Sequence, residues 1–319
     1  MQFKLKKIRS DASFREFFRL HKGNKTSIIV TAKKERFKNL VLYSAINRFL
    51  RKKGIYTPKL ISHHFKEGIM EIEDFGNNTL LHHIKLSKNK LRLYKNCVDL
   101  ILKFQKIKQT RKIKLSSNKY FNLSHYNMAN IHKESNLFFN WYLPGVLGKK
   151  KTLKFKKIIK KELNKLYKKI FFKNQFIVHR DFHVSNVMYH KKKFYLIDSQ
   201  DAVYGNIAYD LASLIDDVRL KTSQELKNKI FKLYIRVNKS IDQTKLKNDF
   251  EILSVLRNLK IIGIFTRLAV RDSKKKYMKM IPYAWQIIEQ RMSKNVLFED
   301  LEFSLNKYFS KKLRLKKWK

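Results

Sequence analysis

A single cysteine, Cys97, occurs in the 319 residues. No internal disulfide can form, and a reducing compartment is expected. Cys97 sits in Tyr94-x-x-Cys97-Val98-x-x-Ile101-Leu102, a helical apolar stripe, and reads as core. No apolar run reaches the ~20 residues that would span a bilayer. The opening MQFKLKKIRSD also lacks the apolar segment of a signal peptide. These absences together lead to the expectation of a soluble cytoplasmic protein. Acidic residues are scarce, 25 Asp and Glu against 73 Lys and Arg, a formal charge of +48. Glycine and proline are scarce as well, 8 and 3, while Lys, Asn, Ile and Phe abound. That is the profile an AT-rich genome imposes on any protein. The lysines are spread over the polar faces of nearly every expected helix, and no zinc-finger or RNA-binding signature accompanies them. A specific nucleic-acid function is therefore not expected, although salt-sensitive adsorption to polyanions is.

Hydrophobic residues make up 44% of the chain and aromatics 13%, which excludes a disordered polymer and provides an ample core. The most informative stretch is Phe176–Asp201. Three short apolar runs, Phe176–Val178, Val187–Tyr189 and Phe194–Ile197, are rich in β-branched and aromatic residues and read as strands. The polar loop His179–Asn186 carries Asp181 and Asn186, and a tight hairpin then delivers Asp198 beside them. One of these groups suits a hydroxyl that must lose a proton, and the other two suit a hard cation bridging phosphates. His179 is expected to shape the loop through a backbone hydrogen bond, and His183 to lie nearer an acceptor.

Upstream, Leu5–Ile8 leads through Ser10-Asp11-Ala12-Ser13-Phe14-Arg15 into Phe17–Leu20 and Ser27–Val30, two strands around a polar turn. A helix is expected over Phe37–Lys53, then strands at Thr57–Ser62 and Gly68–Ile72. Glu71–Gly76 leads out of this β-rich part. Beyond it the chain is mostly helical: Lys88–Lys106, Glu134–Leu147, Phe155–Phe172, Ala208–Val218, Gln224–Val237 and a long run through Leu246–Leu268. Neither an internal repeat nor a low-complexity linker is evident apart from the basic tail Lys311–Lys319.

The H-x-D-x-x-x-x-N pattern followed by a strand-end Asp resembles the catalytic core of the protein-kinase-like fold. That resemblance implies an α+β chain of two lobes: a small β-rich, nucleotide-binding N-lobe over residues 1–75 and a large, mainly helical, catalytic and substrate-binding C-lobe over 76–319. It also implies ATP and Mg²⁺ as cofactors. Ser10, Ser13 and Phe14 of the first turn and Glu73 and Phe75 of the hinge become the nucleotide-binding candidates, Asp181 the base, and Asn186 and Asp198 the metal ligands. Two expected parts are missing. The first turn has no glycine, so a G-x-G-x-x-G approach of backbone to phosphate is unavailable. No acidic residue occurs between Glu35 and Glu67, and the strand position that carries lysine in protein kinases is Thr31, so the usual lysine–glutamate pair cannot be assigned.

Asp210 follows Asp198 by twelve positions. An activation segment does not fit there, and the chain resembles instead the aminoglycoside phosphotransferase-like branch, which acts on small molecules. Several blocks are similar to one bacterial family, that of the N-acetylmuramate/N-acetylglucosamine anomeric kinase of peptidoglycan recycling. They are Ser10–Arg15, Leu137-Phe138-x-x-Trp141-Tyr142, His179–Asn186, Ile197–Gly205, Tyr209–Leu214 and Arg257–Leu268, within a resemblance covering residues 8 to about 285. By the family's pattern Asp210 braces the catalytic loop. Ser199 departs from it, standing where an aromatic is usual, as do the many surface lysines. The expectation is a sugar kinase, a monomer acting on a small molecule, with His183, Trp141 and Arg257 as substrate candidates. A kinase of an aminoglycoside- or choline-like alcohol and a catalytically silent kinase-shaped binding protein stand as alternatives.

Overall fold

The computed structural model describes residues 3–8, 15–33, 37–110, 112–115, 119–293 and 295–315. Contacts divide the chain into two compact units, Met1–Ser124 with Phe176–Tyr204, and His125–Gln175 with Gly205–Lys319.

The first unit is built on a five-stranded antiparallel sheet. Strands β1 (Phe3–Ile8), β2 (Glu16–Lys22) and β3 (Lys25–Thr31) run in order, so residues 5–31 hold three strands rather than two. The β2–β3 turn, Gly23-Asn24, is a two-residue hairpin, with Lys22 paired to Lys25. Glycine at position 23 takes the left-handed φ of 58° that such a turn needs. Helix α1 (Phe37–Lys52) follows, then β4 (Leu60–His64) and β5 (Ile69–Glu73), in the spatial order β1-β2-β3-β5-β4. Alternation in β3 and β5 turns Ile28, Val30, Met70 and Ile72 to one face, where Leu40 and Tyr43 of α1 cover them. After the sheet come α2 (Leu80–Leu86), α3 (Lys90–Gln105) and a minimal ribbon of β6 (Ile113–Lys114) with β7 (Tyr120–Phe121).

The second unit is helical. Helix α4 (Met128–Leu137) passes into a π-helical turn, Phe138–Tyr142, and directly into α5 (Leu143–Lys168), broken at Gly148 where φ is 72°. The two helices expected at Glu134–Leu147 and Phe155–Phe172 are thus parts of one longer run. Its sequence hides the π turn, because one inserted residue merely shifts the apolar stripe. The chain then returns to the first unit for β8 (Phe176–Val178), β9 (Val187–His190) and β10 (Lys193–Leu196), and leaves it along β11 (Val203–Gly205). Helices α6 (Tyr209–Ile215), α7 (Gln224–Val237), α8 (Gln243–Arg271), α9 (Ile281–Met292), α10 (Glu299–Tyr308) and α11 (Lys311–Arg314) complete the second unit. Among the described residues, no helix is long and apolar enough to cross a membrane.

Helix α8 is the axis of this unit, buried along most of its 29 residues. One buried carboxylate ties three helices to it. Asp216 accepts from Lys227 Nζ at 2.8 Å, from Arg291 Nε and Nη2 at 2.9 and 3.0 Å, and from Ser254 Oγ at 2.6 Å. Burial works against its charge, but Arg291 and Lys227 outweigh burial and bring its carboxyl down to about 2. Gly263 lets α8 touch the start of the π turn. A Cβ there would meet Leu137 C and Phe138 N at 2.3 Å, both backbone atoms that cannot swing aside. Gly263→Ala is therefore expected to lower stability by about 1–3 kcal/mol, the usual cost of overpacking. An unchanged midpoint in chemical denaturation would show that the two backbones are not in contact.

Candidate active site

The expected loop begins where β8 ends, and its shape follows from a few backbone positions. Val178 and His179 are buried, and Arg180 turns the chain with a left-handed φ of 70°. His179 Nε2 lies 3.0 Å from the Ile197 carbonyl, which can only accept, so this nitrogen carries a proton and donates. The loop is thereby fastened to the strand end that precedes Asp198. Phe104 of α3 packs edge-on against both His179 and Phe182, at centroid distances of 6.4 and 6.5 Å, and closes the loop from below. The His183 amide donates to the Asp181 carbonyl at 3.0 Å and the Asn186 amide to the His183 carbonyl at 2.9 Å, which draws residues 181–186 into a tight turn.

Asn186 is positioned twice over. Its side-chain nitrogen donates to the Asp181 carbonyl at 3.0 Å, and its own carbonyl accepts from the Ile197 amide at 3.0 Å. With the nitrogen so engaged, Oδ1 is the atom this side chain can turn toward a cation. Asp198 follows the β9–β10 hairpin with φ 64° and ψ 38°, a conformation that costs a non-glycine residue of order 1–3 kcal/mol. Lys191 and Lys192 at the hairpin tip adopt positive φ too. Glycine scarcity thus does not spare the chain its left-handed positions; arginine, lysine and aspartate fill them.

The hairpin is joined to the rest of the first unit through Leu196 N to Tyr56 O and Tyr189 N to Asn78 O, both 2.8 Å. Phe75 of the hinge packs on Tyr195 at 4.1 Å between centroids and, with Met188 and Ile197, forms a small apolar cluster. Glu73 turns its carboxylate to Arg51 Nη1 and the Lys59 amide, at 3.4 and 3.3 Å. A less expected clamp fixes the hinge between them. Arg19 of β2 donates to both Asp74 oxygens, at 2.6 and 3.1 Å, and to Asn77 Oδ1 at 3.0 Å. Burial raises the Asp74 carboxyl, yet hydrogen bonds from Arg19 and the Gly76 amide outweigh that and hold it low.

The first unit thus brings together Asp181, His183, Asn186 and Asp198 on one loop and hairpin, with Glu73 and Phe75 at the adjoining hinge. Ser10, Ser13 and Phe14 lie outside the described residues. Trp141 and Arg257 belong to the second unit. Trp141 is half-buried in the π turn, which points it by inserting a residue into α-helical phase. Arg257 is buried in α8, and among the described residues its Nε and Nη1 meet no hydrogen-bond acceptor. A buried guanidinium left so is costly unless water or an anion completes it. Asp210, the expected brace, is buried at the start of α6.

Sequence reasoning missed the surroundings of Asp198. Its Oδ1 accepts from Nη2 of Arg15 at 2.6 Å, and Arg15 Nη1 donates to Gln200 Oε1 at 3.1 Å. The Arg15 guanidinium lies 5.3 Å from the centre of the Tyr43 ring and 5.7 Å from that of Phe17. Ser199, where an aromatic was anticipated, is fully buried and donates to Asn47 Oδ1 of α1 at 2.5 Å. A hydroxyl–amide bond therefore does the packing of a ring. Burial pushes the Tyr43 phenol up, outweighing its hydrogen bond with Asn47 and the nearby Arg15 charge. The absence of acid in α1 was the signal that could have led to Arg15: with no glutamate there, a cation of the site has to find its counter-ion elsewhere.

An antiparallel sheet with one covering helix, a hinge, and a strand–loop–hairpin carrying Asp, Asn and Asp in this order define a phosphotransferase of the protein-kinase-like fold. The chain belongs to the phosphotransferase enzyme family, whose profile matches residues 4–238, and it is an enzyme that transfers phosphoryl to a hydroxyl. It is 27% identical over 289 residues to the N-acetylmuramate/N-acetylglucosamine kinase of Pseudomonas putida, covering 88% of this chain and 81% of that one. The Neisseria meningitidis N-acetylmuramate/N-acetylglucosamine kinase is likewise 27% identical, over 86% of this chain and 81% of its own. Among solved structures, ADP-bound aminoglycoside phosphotransferase APH(2'')-Ib superimposes with a TM-score of 0.60 at 16% identity, over 90% of this chain and 94% of that one.

Proposed function

We propose that this protein is an ATP- and Mg²⁺-dependent sugar kinase that phosphorylates the anomeric hydroxyl of N-acetylmuramate or N-acetylglucosamine. The observation that carries the reading is the Asp181–Asn186 turn held against the strand that ends on Asp198. In it, Asp181 takes the proton of the acceptor hydroxyl as the new bond to phosphorus forms. His183, on the same turn, is the acceptor contact of this unit.

The residues fit the cofactors. Asn186 Oδ1 and the Asp198 carboxylate, whose side chain is 38% exposed, are hard oxygen donors of the kind Mg²⁺ accepts while keeping several waters. Bound there, the metal would supply neutralisation of the charge on the phosphate oxygens. The hinge backbone of Glu73 and Phe75 would take the purine base, beside the partly buried Ile197 that packs on Phe75 and Met188. For the acceptor, support comes from the two relatives and from Arg257. Its buried, uncompleted guanidinium suits a carboxylate such as the lactyl group of muramate.

ATP consumption should be followed across amino sugars, other sugars, amino alcohols and aminoglycosides. Turnover with N-acetylmuramate or N-acetylglucosamine is expected. Turnover confined to an aminoglycoside or a choline-like alcohol would reject the sugar and leave the kinase. No ATP consumption with any acceptor, together with no binding of Mg·ATP, would favour a catalytically silent binding protein.

A further inference from the structure

We infer that Arg15 is the phosphate anchor of the nucleotide site, a guanidinium seated on α1 that takes over the work of the strand lysine and helix glutamate which this chain lacks; the inference rests on the kinase reading above. The strand position is Thr31, and α1 contains no acidic residue. A phosphotransferase without a fixed cation beside its metal-binding carboxylate would leave phosphate charge poorly compensated. Arg15 meets the requirement for such a cation. It reaches Asp198 from just before β2, the side on which the phosphate-covering turn of a kinase fold lies.

Its setting distinguishes it from the many solvated cations of the chain. Arg15 is 4% exposed, whereas Lys7, paired with Glu16, is 65% exposed. The Tyr43 and Phe17 rings flank the guanidinium, and Gln200 and Asp198 hold its two terminal nitrogens. A flanked, forked guanidinium loses little freedom on meeting a phosphate, because its orientation is already set. A lysine ammonium has neither a plane to set between the rings nor a fork to share between Gln200 and Asp198.

The helix takes part by another route. Protein kinases place a carboxylate on this helix to hold the cation; here Tyr43 flanks it, and Asn47, one turn on, takes the hydroxyl of Ser199 next to the metal ligand. The counter-ion has moved from the helix to Asp198 itself. Arrival of a metal-bound nucleotide then brings phosphate oxygens to a guanidinium that is already beside the carboxylate the metal needs. Charge and position are provided together.

Arg15→Met and Arg15→Lys should be compared with the unaltered protein by calorimetric titration with Mg·ATP and, separately, with AMP. Loss of a charge-assisted contact to phosphate is expected to weaken Mg·ATP by about 10- to 100-fold in Arg15→Met. AMP, which lacks the outer phosphates, should bind within about two-fold of the unaltered protein, since a base-side contact is untouched. Arg15→Lys, which keeps the charge but not the fork, should recover part of the loss. Equal weakening of AMP and Mg·ATP would make Arg15 a structural prop and overturn the inference. So would Mg·ATP binding in Arg15→Met that is unchanged, or tighter because a competitor for Asp198 has gone. Failure of the unaltered protein to bind Mg·ATP would overturn the kinase reading and this inference with it, an outcome separate from the others.

Discussion

Asp181→Asn is expected to cut turnover by about 10²–10⁴-fold, the usual contribution of a positioned general base, while Mg·ATP affinity stays within a few-fold. The separation of the two effects comes from the loop's construction. Its turn is held by the backbone carbonyl of Asp181, which accepts from the His183 amide and the Asn186 side chain. Asparagine keeps those two bonds, and with them the placement of Asn186, and loses the ability to take a proton. Steady-state rates beside a binding titration decide the matter. Near-normal turnover would mean that another group accepts the proton.

Asp198→Ala should fail in a different way. Mg·ATP binding is expected to disappear from the titration along with activity, because the side chain proposed to hold the metal is gone. Stability should fall too, by about 1–3 kcal/mol. Arg15 is buried, and its Nη2 would lose the partner it has at 2.6 Å. The exposure of Asp198 keeps that cost below the value for a fully buried pair. Chemical denaturation beside calorimetry checks both parts. Retained tight binding of Mg·ATP would move the metal to other residues.

The loop and hairpin were legible in the sequence because their strands are short, apolar and separated by polar turns, and because His179, Asp181 and Asn186 fall in an H-x-D-x-x-x-x-N pattern ahead of a strand-end Asp198. The helix of Gln224–Val237 was read to the residue, its ends set by Ser223 at the N-cap, which accepts from the Leu226 amide, and by Asn238 beyond the last turn. Other features depend on partners that a local pattern does not contain. Strand β1 pairs with β2 along its whole length, so three strands emerged where two were expected. Helices α9, α10 and α11 went unread, although Trp285 of α9 is fully buried and donates to the Tyr142 hydroxyl at 3.0 Å, 143 positions away in sequence. The π turn was invisible for a different reason: a single inserted residue leaves composition and apolar count unaltered.

At the site the same contrast holds. The roles proposed for Asp181, Asn186 and Asp198 follow from residue type and spacing, and short-range hydrogen bonds keep these residues within one turn and one hairpin. Arg15 meets Asp198 across 183 positions, Ser199 meets Asn47 across 152, and Arg19 meets Asp74 across 55. Nothing local marks any of the three pairs. The positive charge of the chain worked against finding them, since one buried arginine is hard to single out among 73 basic residues.

The central claim, transfer of phosphoryl from ATP to the anomeric hydroxyl of an N-acetylated amino sugar, is tested most directly on the product. N-acetylmuramate and N-acetylglucosamine should each be incubated with the protein, ATP and Mg²⁺, then examined by mass spectrometry and phosphorus NMR. The account requires a gain of one phosphate, with coupling that places it on the anomeric carbon. Both sugars recovered unmodified, or a phosphate found on another carbon, would contradict it.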